Sequence, residues 1–323
     1  MIPLRHVFGL LLAGVTGCLT AAGADAIVTH PFRGITLIAR SETSPRNVRM
    51  HVVLVDLSAP GLSFKLTPPG GGRDTVRQTT MDFLLQEKAQ LAVNVHFFVP
   101  FPSDETDVEV VGLAASQGKV YSPFEPQPVG RAYADQSYAI VAYAPALNID
   151  AANRVTLVRR DPAHPGNRQT LPRVPLWNAL SGGAQIVTDG AKTIPSYSGV
   201  AGGLNPSTAY SDTNSWYALP RARTAAGVTA NLKTLVLFTA DQAAGSGGMT
   251  VAEVADRLIN DYHVAQALNL DGGGSTTLAM QDPATLKGRL VNTSSDNPRG
   301  RAVGSSLAIF AARLPAPDKS PPR

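Results

Sequence analysis

The 323-residue chain has a single cysteine, Cys18, in its N-terminal apolar stretch. The remainder therefore has no thiol for a disulfide, a Cys–zinc site or a cysteine nucleophile. Charge is also sparse: 28 Lys and Arg against 24 Asp and Glu leave a net +4. No basic cluster of nucleic-acid type is present, and Arg159-Arg160 reads as a solvated strand end. A nucleic-acid partner is disfavoured, whereas a mild positive balance suits an anionic small substrate or polymer. None of the six histidines stands at H-x-H or H-x-x-H spacing, which argues against zinc. Long polar tracts are missing, and hydrophobic residues make up 44%, so a large buried core is expected. Glycine and proline are plentiful but scattered, as in a loop-rich globular fold.

Residues 1–26 read as a signal peptide. Arg5 precedes the apolar run Val7–Val15, and Ala24-Asp25-Ala26 has the A-x-A form of a cleavage site. The apolar run is too short for a membrane span. Val15-Thr16-Gly17-Cys18 also resembles a lipoprotein box, so Cys18 is either lipidated, anchoring the protein to a membrane, or discarded. Both routes place the protein outside the cytoplasm, periplasmic or secreted.

The patterning predicts an α/β (mixed α+β) fold: one domain over 27–313, a mixed β-sheet core, a few helices and long loops. Strands are expected at Ile35–Arg40, Met50–Leu57, Leu62–Leu66, Leu91–Phe98, Val108–Ala114, Tyr138–Tyr143 and Arg154–Val158. A helix is expected over Thr79–Lys88, and Ala184–Thr188 should turn at Asp189-Gly190. Thr193–Leu219 has no period and is a surface loop or a lid. Further on, Lys233–Ala240, a helix over Met249–Tyr262 and Val264–Leu270 form a β–loop–α–β unit with parallel strands. Thr250 and Glu253 make a capping box for that helix. Strands at Thr276–Met280, Arg289–Val291 and Ala302–Ala311 follow, and 314–323, with four prolines, should be a disordered tail.

The run Leu268-Asn-Leu-Asp-Gly-Gly-Gly-Ser-Thr-Thr-Leu278 carries the strongest chemical signal. A carboxylate, Asp271, ends a buried strand and is followed by three glycines and three hydroxyls. Bare backbone lets a ligand approach closely. A tight turn capped by Asp is the plainer alternative, but a turn seldom needs three glycines. The Asp241–Gly248 loop enters a capped helix and so has an anion-binding form, without the lysine of a P-loop. Arg221-Ala-Arg-Thr224 offers an arginine to clamp a phosphate or carboxylate. Asn94 and His96, amid apolar residues, must be satisfied in the core or face a site. Asn292 and Arg301 bracket a Ser/Asp/Pro/Gly loop. A serine hydrolase is excluded because Thr277 stands where G-x-S-x-G needs its last glycine.

In order, Asn94…Phe97-Phe98, Ser181-Gly182…Gly190, Pro220…Arg223-Thr224…Gly227, Gly248-Met249-Thr250, Ala267–Thr277 and Asn292…Arg301 resemble the phosphodiester glycosidase family, across Val52–Ala311. That family includes an enzyme uncovering phosphodiester-capped mannose, and its bacterial members are associated with exopolysaccharide biosynthesis. Two departures stand out: Asn94-Val95-His96 replaces an Asn-Gly, and Asp241-Gln242-Ala243 replaces an Asp-Gly-Arg. His96 would stand in for the missing arginine in part.

The resemblance implies hydrolysis of the bond between a sugar anomeric carbon and a phosphate oxygen. It casts Asp271 as the carboxylate at the sugar, as nucleophile or base, and Asp241 as a second carboxylate. Arg223 would hold the phosphate, helped by the Gly272, Gly273 and Gly274 backbone and the Ser275 and Thr276 hydroxyls. Asn94 and Thr224 would position the sugar, with His96, Asn292 and Arg301 completing the substrate contacts. Tyr197, Tyr210, Trp216 and Tyr217 offer stacking surfaces or ordinary packing. No cofactor is required, although Asp271, Asp241 and backbone carbonyls would suit a hard cation such as calcium. The competing class is a non-catalytic polysaccharide-binding accessory protein using the same cleft. Its oligomeric state is left open.

Overall fold

Neighbouring residues along the central strands face different cores. In Val48–Asp56, Val53 and Val55 join one apolar cluster while Met50 and Val52 join another, and Thr234–Ala240 divides in the same way. Such alternation marks sheets buried on both faces. A computed structural model describes residues 25–126, 141–194 and 216–315. Within them an eight-stranded sheet packs face to face on a five-stranded sheet, across the cluster holding Val53, Leu237, Leu91 and Ile309. The outer face of the large sheet is covered by α2 (Val251–Asn260) through Val254, Ala255 and Leu258. The outer face of the smaller sheet is covered by α1 (Thr80–Glu87) through Phe83 and Leu84, on Ala92, Ala279 and Ala308. A six-stranded sheet adds Leu147, Ile149 and Leu180 to the central cluster.

The expected mixed sheet is corrected. Strand accounts for 42% and helix for 8%, and every strand pairing among the described residues is antiparallel. Thr234–Ala240 and Val264–Asn269 do run in one direction. They are not neighbours, because Arg223–Thr229 lies between them and pairs antiparallel with both. Gly227 permits that close pairing, since a Cβ there would lie 2.8 Å from the Gln266 carbonyl.

Local punctuation follows the sequence closely. Thr250 accepts from the Glu253 amide at 3.1 Å and the Glu253 carboxylate accepts from the Thr250 amide at 2.8 Å, the reciprocal capping box. Gln185–Thr188 pairs back onto Ala191–Lys192 through left-handed Asp189 and Gly190. Three expected strands are interrupted. Leu91–Asn94 stops short of Phe98, Val108–Ala114 breaks at left-handed Gly112, and Ala302–Ala311 divides where Gly304 presses on Phe98. Val141–Tyr143 lies outside any strand. Residues 1–24 of the signal segment, with Cys18, as well as residues 138–140, Tyr197, Tyr210, most of the proposed lid and most of the tail lie outside the described residues, while Asp25 and Ala26 open the strand Asp25–Phe32.

Candidate active site

The glycine run occupies the passage from the large sheet to the small one. Val264–Asn269 belongs to the eight-stranded sheet and Leu278–Gln281 to the five-stranded sheet. In the crossing, the Leu270 amide donates to the Thr224 carbonyl at 2.9 Å and the Asp271 amide to the Val95 carbonyl at 2.9 Å. Asp271 is thus fastened to both sheets at the end of the sandwich.

A polar framework holds the run from beneath. Asn94 Nδ2 donates to the Asp271 carbonyl at 2.7 Å, while Asn94 Oδ1 accepts from the Thr277 amide at 3.0 Å and the Thr224 hydroxyl at 2.9 Å. Asn292 grips the exit, donating to the Thr276 carbonyl at 3.0 Å and accepting from the Leu278 amide at 2.7 Å. Asn94, Thr224, Thr276 and Asn292 are all buried. They were expected at the substrate, and the structure places them behind the loop.

A cleft of about 390 Å³ opens above, lined by Asp271, the three glycines and Ser275 together with Arg221, Arg301, Phe97, Phe98, Phe101, Trp216, Gln242 and Ser295. Gly272 is fixed by close approach, since a Cβ there would meet the Ala222 carbonyl at 2.7 Å, whereas one at Gly274 would press on the movable Arg301 guanidinium. The loop amides are largely engaged. Gly273 donates to Ala222, Ser275 to Gly272 and Thr276 to Gly273, while the Gly272 amide bonds the Asp271 carboxyl.

The Asp271 carboxyl sits in this wall. Burial pushes it from the ordinary value of 3.8 up to about 7, against the opposing pull of the Ser275 hydroxyl, the Arg301 charge and the Gly272 amide. Arg301 donates through Nε to Asp296 at 2.8 Å, approaches the Ser275 hydroxyl at 3.4 Å and lies over the Phe101 ring at 4.6 Å.

Three further sequence-chosen residues do not line the cleft. Arg223 is fully buried, donating to the carbonyls of Met249, Trp216 and Leu219, with its guanidinium 3.9 Å from the centre of the Trp216 ring. It therefore fastens the 216–219 turn to the start of α2. His96 is also fully buried; Nδ1 bonds the Ser305 hydroxyl at 2.7 Å, and Nε2 lies 3.0 Å from the Ser181 amide and 3.1 Å from the Leu113 carbonyl. Burial lowers its pKa to about 4, so the ring is neutral at ordinary pH. Asp241 is buried with its pKa raised by desolvation; Oδ2 accepts from the Thr293 amide at 3.2 Å. No three His, Cys, Asp or Glu side chains converge as metal ligands among the described residues.

Phe101, Gln242 and Ser295 line the cleft although no motif marks them as substrate contacts, and Arg221 lines it in place of Arg223. A larger hollow of about 630 Å³, lined in part by Val155, Val174, Trp177 and Leu232, contains none of the residues singled out from the sequence.

Comparison with known proteins gives a family and a fold. The family model of phosphodiester glycosidases matches residues 109–310, more than half of the chain. The catalytic domain of zebrafish N-acetylglucosamine-1-phosphodiester alpha-N-acetylglucosaminidase, auto-inhibited by its pro-peptide, is a structural relative with a TM-score of 0.57. It is 21% identical over 89% of this chain and 87% of that one. A hypothetical protein from Synechocystis aligns with a TM-score of 0.57 and 16% identity, covering 86% of this chain and 62% of that one. No curated protein matches the sequence. The structural likenesses share the fold, and the family match spans Asp271, Arg301 and the framework of Thr224 and Asn292: the chain belongs to the phosphodiester glycosidase family.

Proposed function

We propose that the protein is an exported glycosidase that hydrolyses a sugar-1-phosphodiester in glycan or exopolysaccharide metabolism. The observation that carries this reading is the Asp271 carboxyl, buried in a cleft wall beside Arg301 and raised to about 7. In the reaction, water adds at the anomeric carbon and the bond from that carbon to the phosphate oxygen breaks. The oxygen keeps the electron pair, giving a reducing sugar and a phosphomonoester. A phosphate is already a good leaving group, so little acid assistance is needed.

The demand is for a base at the sugar and for positive charge near the departing oxygen. Asp271 meets the first, since a carboxylate with a raised pKa is a stronger proton acceptor for the attacking water. Arg301 meets the second, with the Ser275 hydroxyl beside it. Asn94, Thr224 and Asn292 act from behind the loop, holding Asp271 in place, while Arg223 fixes the turn that carries Trp216. Asp241 does not line the cleft wall and is a support for the Asn292–Thr293 turn in this reading. Export rests on the A-x-A site and apolar run of residues 1–26, with a periplasmic, secreted or Cys18-lipidated product.

Purified protein incubated with a panel of sugar-1-phosphodiesters and envelope glycans should release reducing ends and phosphomonoester together. Binding without release across the whole panel would instead mean an accessory polysaccharide-binding protein.

A further inference from the structure

Two arginines line the cleft, and they stand in different electrostatic situations. Arg301 is matched by Asp296 at 2.8 Å and is further engaged by Ser275 and the Phe101 ring. Arg221 is exposed and forms no ion pair among the described residues; its guanidinium has only the carbonyl of its own neighbour, Pro220, at 3.4 Å. Its backbone, in contrast, is fixed. The Arg221 amide donates to the Met249 carbonyl at 3.1 Å, and the Arg221 carbonyl accepts from the Met249 amide at 2.9 Å. Left-handed Gly248 lies so close that a Cβ there would be 2.7 Å from the Arg221 carbonyl. Gln242 reaches from the opposite strand end to hold the Pro220 carbonyl at 3.1 Å. The base of the side chain is rigid and its head is uncommitted.

From this we infer that Arg221 is a substrate-binding residue, pairing with the non-bridging oxygens of the phosphodiester at the cleft mouth. The inference rests on the phosphodiester reading above and adds the residue that matches the substrate's charge. A phosphodiester carries one negative charge. The Arg301–Asp296 pair is neutral as a unit, so Arg221 is the arginine of the cleft without an ion pair among the described residues. A planar guanidinium also presents paired N–H donors to two phosphate oxygens. Arg301 is left to face the oxygen on which charge develops during bond breaking, so the two arginines divide binding from leaving-group stabilisation.

The test compares wild type, Arg221→Gln and Arg221→Lys with a sugar-1-(methyl phosphate) diester, reading KM and kcat separately. We expect Arg221→Gln to raise KM about tenfold or more, with kcat lowered no more than about threefold. Arg221→Lys should recover most of that loss, and the melting temperature should be unmoved because the head makes one long contact. A KM unchanged in Arg221→Gln, with wild type active, overturns the inference alone. An equal KM rise in both variants with a lowered melting temperature also overturns it, by making the residue structural. If wild type neither turns over the diester nor shows a change in Trp216 fluorescence on titration with it, the phosphodiester reading itself fails. Fluorescence binding without turnover still reads the inference, through a Kd about tenfold weaker in Arg221→Gln.

Discussion

Asn94 and Asp271, 177 residues apart in sequence, meet at 2.7 Å, the amide of one donating to the main-chain carbonyl of the other. The same Asn94 side chain accepts from Thr277, so one buried amide holds both ends of the glycine run. The carboxyl proposed as the base is positioned by its own backbone, and that backbone by a residue on the other sheet.

Replacing Asn94 by Ala strands the Asp271 carbonyl, the Thr277 amide and the Thr224 hydroxyl in a dry interior. We expect a loss of about 2–4 kcal/mol in urea unfolding and a fall in kcat larger than any change in KM. A loss below about 0.5 kcal/mol would mean that water replaces the amide without cost.

The raised Asp271 pKa has two consequences of defined sign. Activity should climb with pH and level off above about 7, because the base works ionised. Stability should move the other way. The folded value of about 7 lies above the unfolded 3.8, so the folded form holds a proton that the unfolded chain loses. This group's contribution is therefore complete below about pH 4 and declines as pH rises towards 7. Asp271→Asn removes that decline, and its melting temperature should overtake wild type progressively between pH 4 and 8. Parallel melting curves at all pH values would place the carboxyl in an ordinary solvated setting.

Arg223 and Arg221 should behave as opposites. Arg223→Lys loses the planar fork that serves three carbonyls and the Trp216 face. We expect it to lower stability by about 2 kcal/mol or more, with weaker catalysis following from loosened structure. Thermal melts of the two lysine variants side by side check this; equal melting temperatures would remove the distinction.

Gly274→Ala pushes a methyl group into the Arg301 guanidinium, a flexible neighbour that can swing away. The expected result is a kcat/KM reduced by about tenfold or more with a modest change in melting temperature. Gly272→Ala meets the Ala222 main chain instead, which cannot swing, and should cost about 1–3 kcal/mol of stability.

Much of this site was legible in the chain because its signals are local. The capping box at Thr250 and Glu253, the Asp189-Gly190 turn and the Asp271–Thr277 run each depend on residues close in sequence. The antiparallel topology was not, because the strand between Thr234–Ala240 and Val264–Asn269 is contributed by Arg223–Thr229, earlier in the chain. Asn178–Ser181 carries no strand signal for another reason: Asn and Ser are poor strand formers, yet this strand is wholly buried, with Asn178 bonding the Phe64 carbonyl. Nor could periodicity separate Arg221 from Arg223, since residues two apart share a strand face. Only the turn holding Trp216 and Leu219 decides which guanidinium goes inward.

The decisive measurement is release of reducing sugar from a sugar-1-phosphodiester by Asp271→Asn at pH 7.5, with its melting temperature recorded alongside. A loss of about 10³-fold, with melting at or above the wild-type temperature, is the expected result. Turnover at the wild-type rate, or a variant that fails to fold, would contradict Asp271 as the base at the sugar.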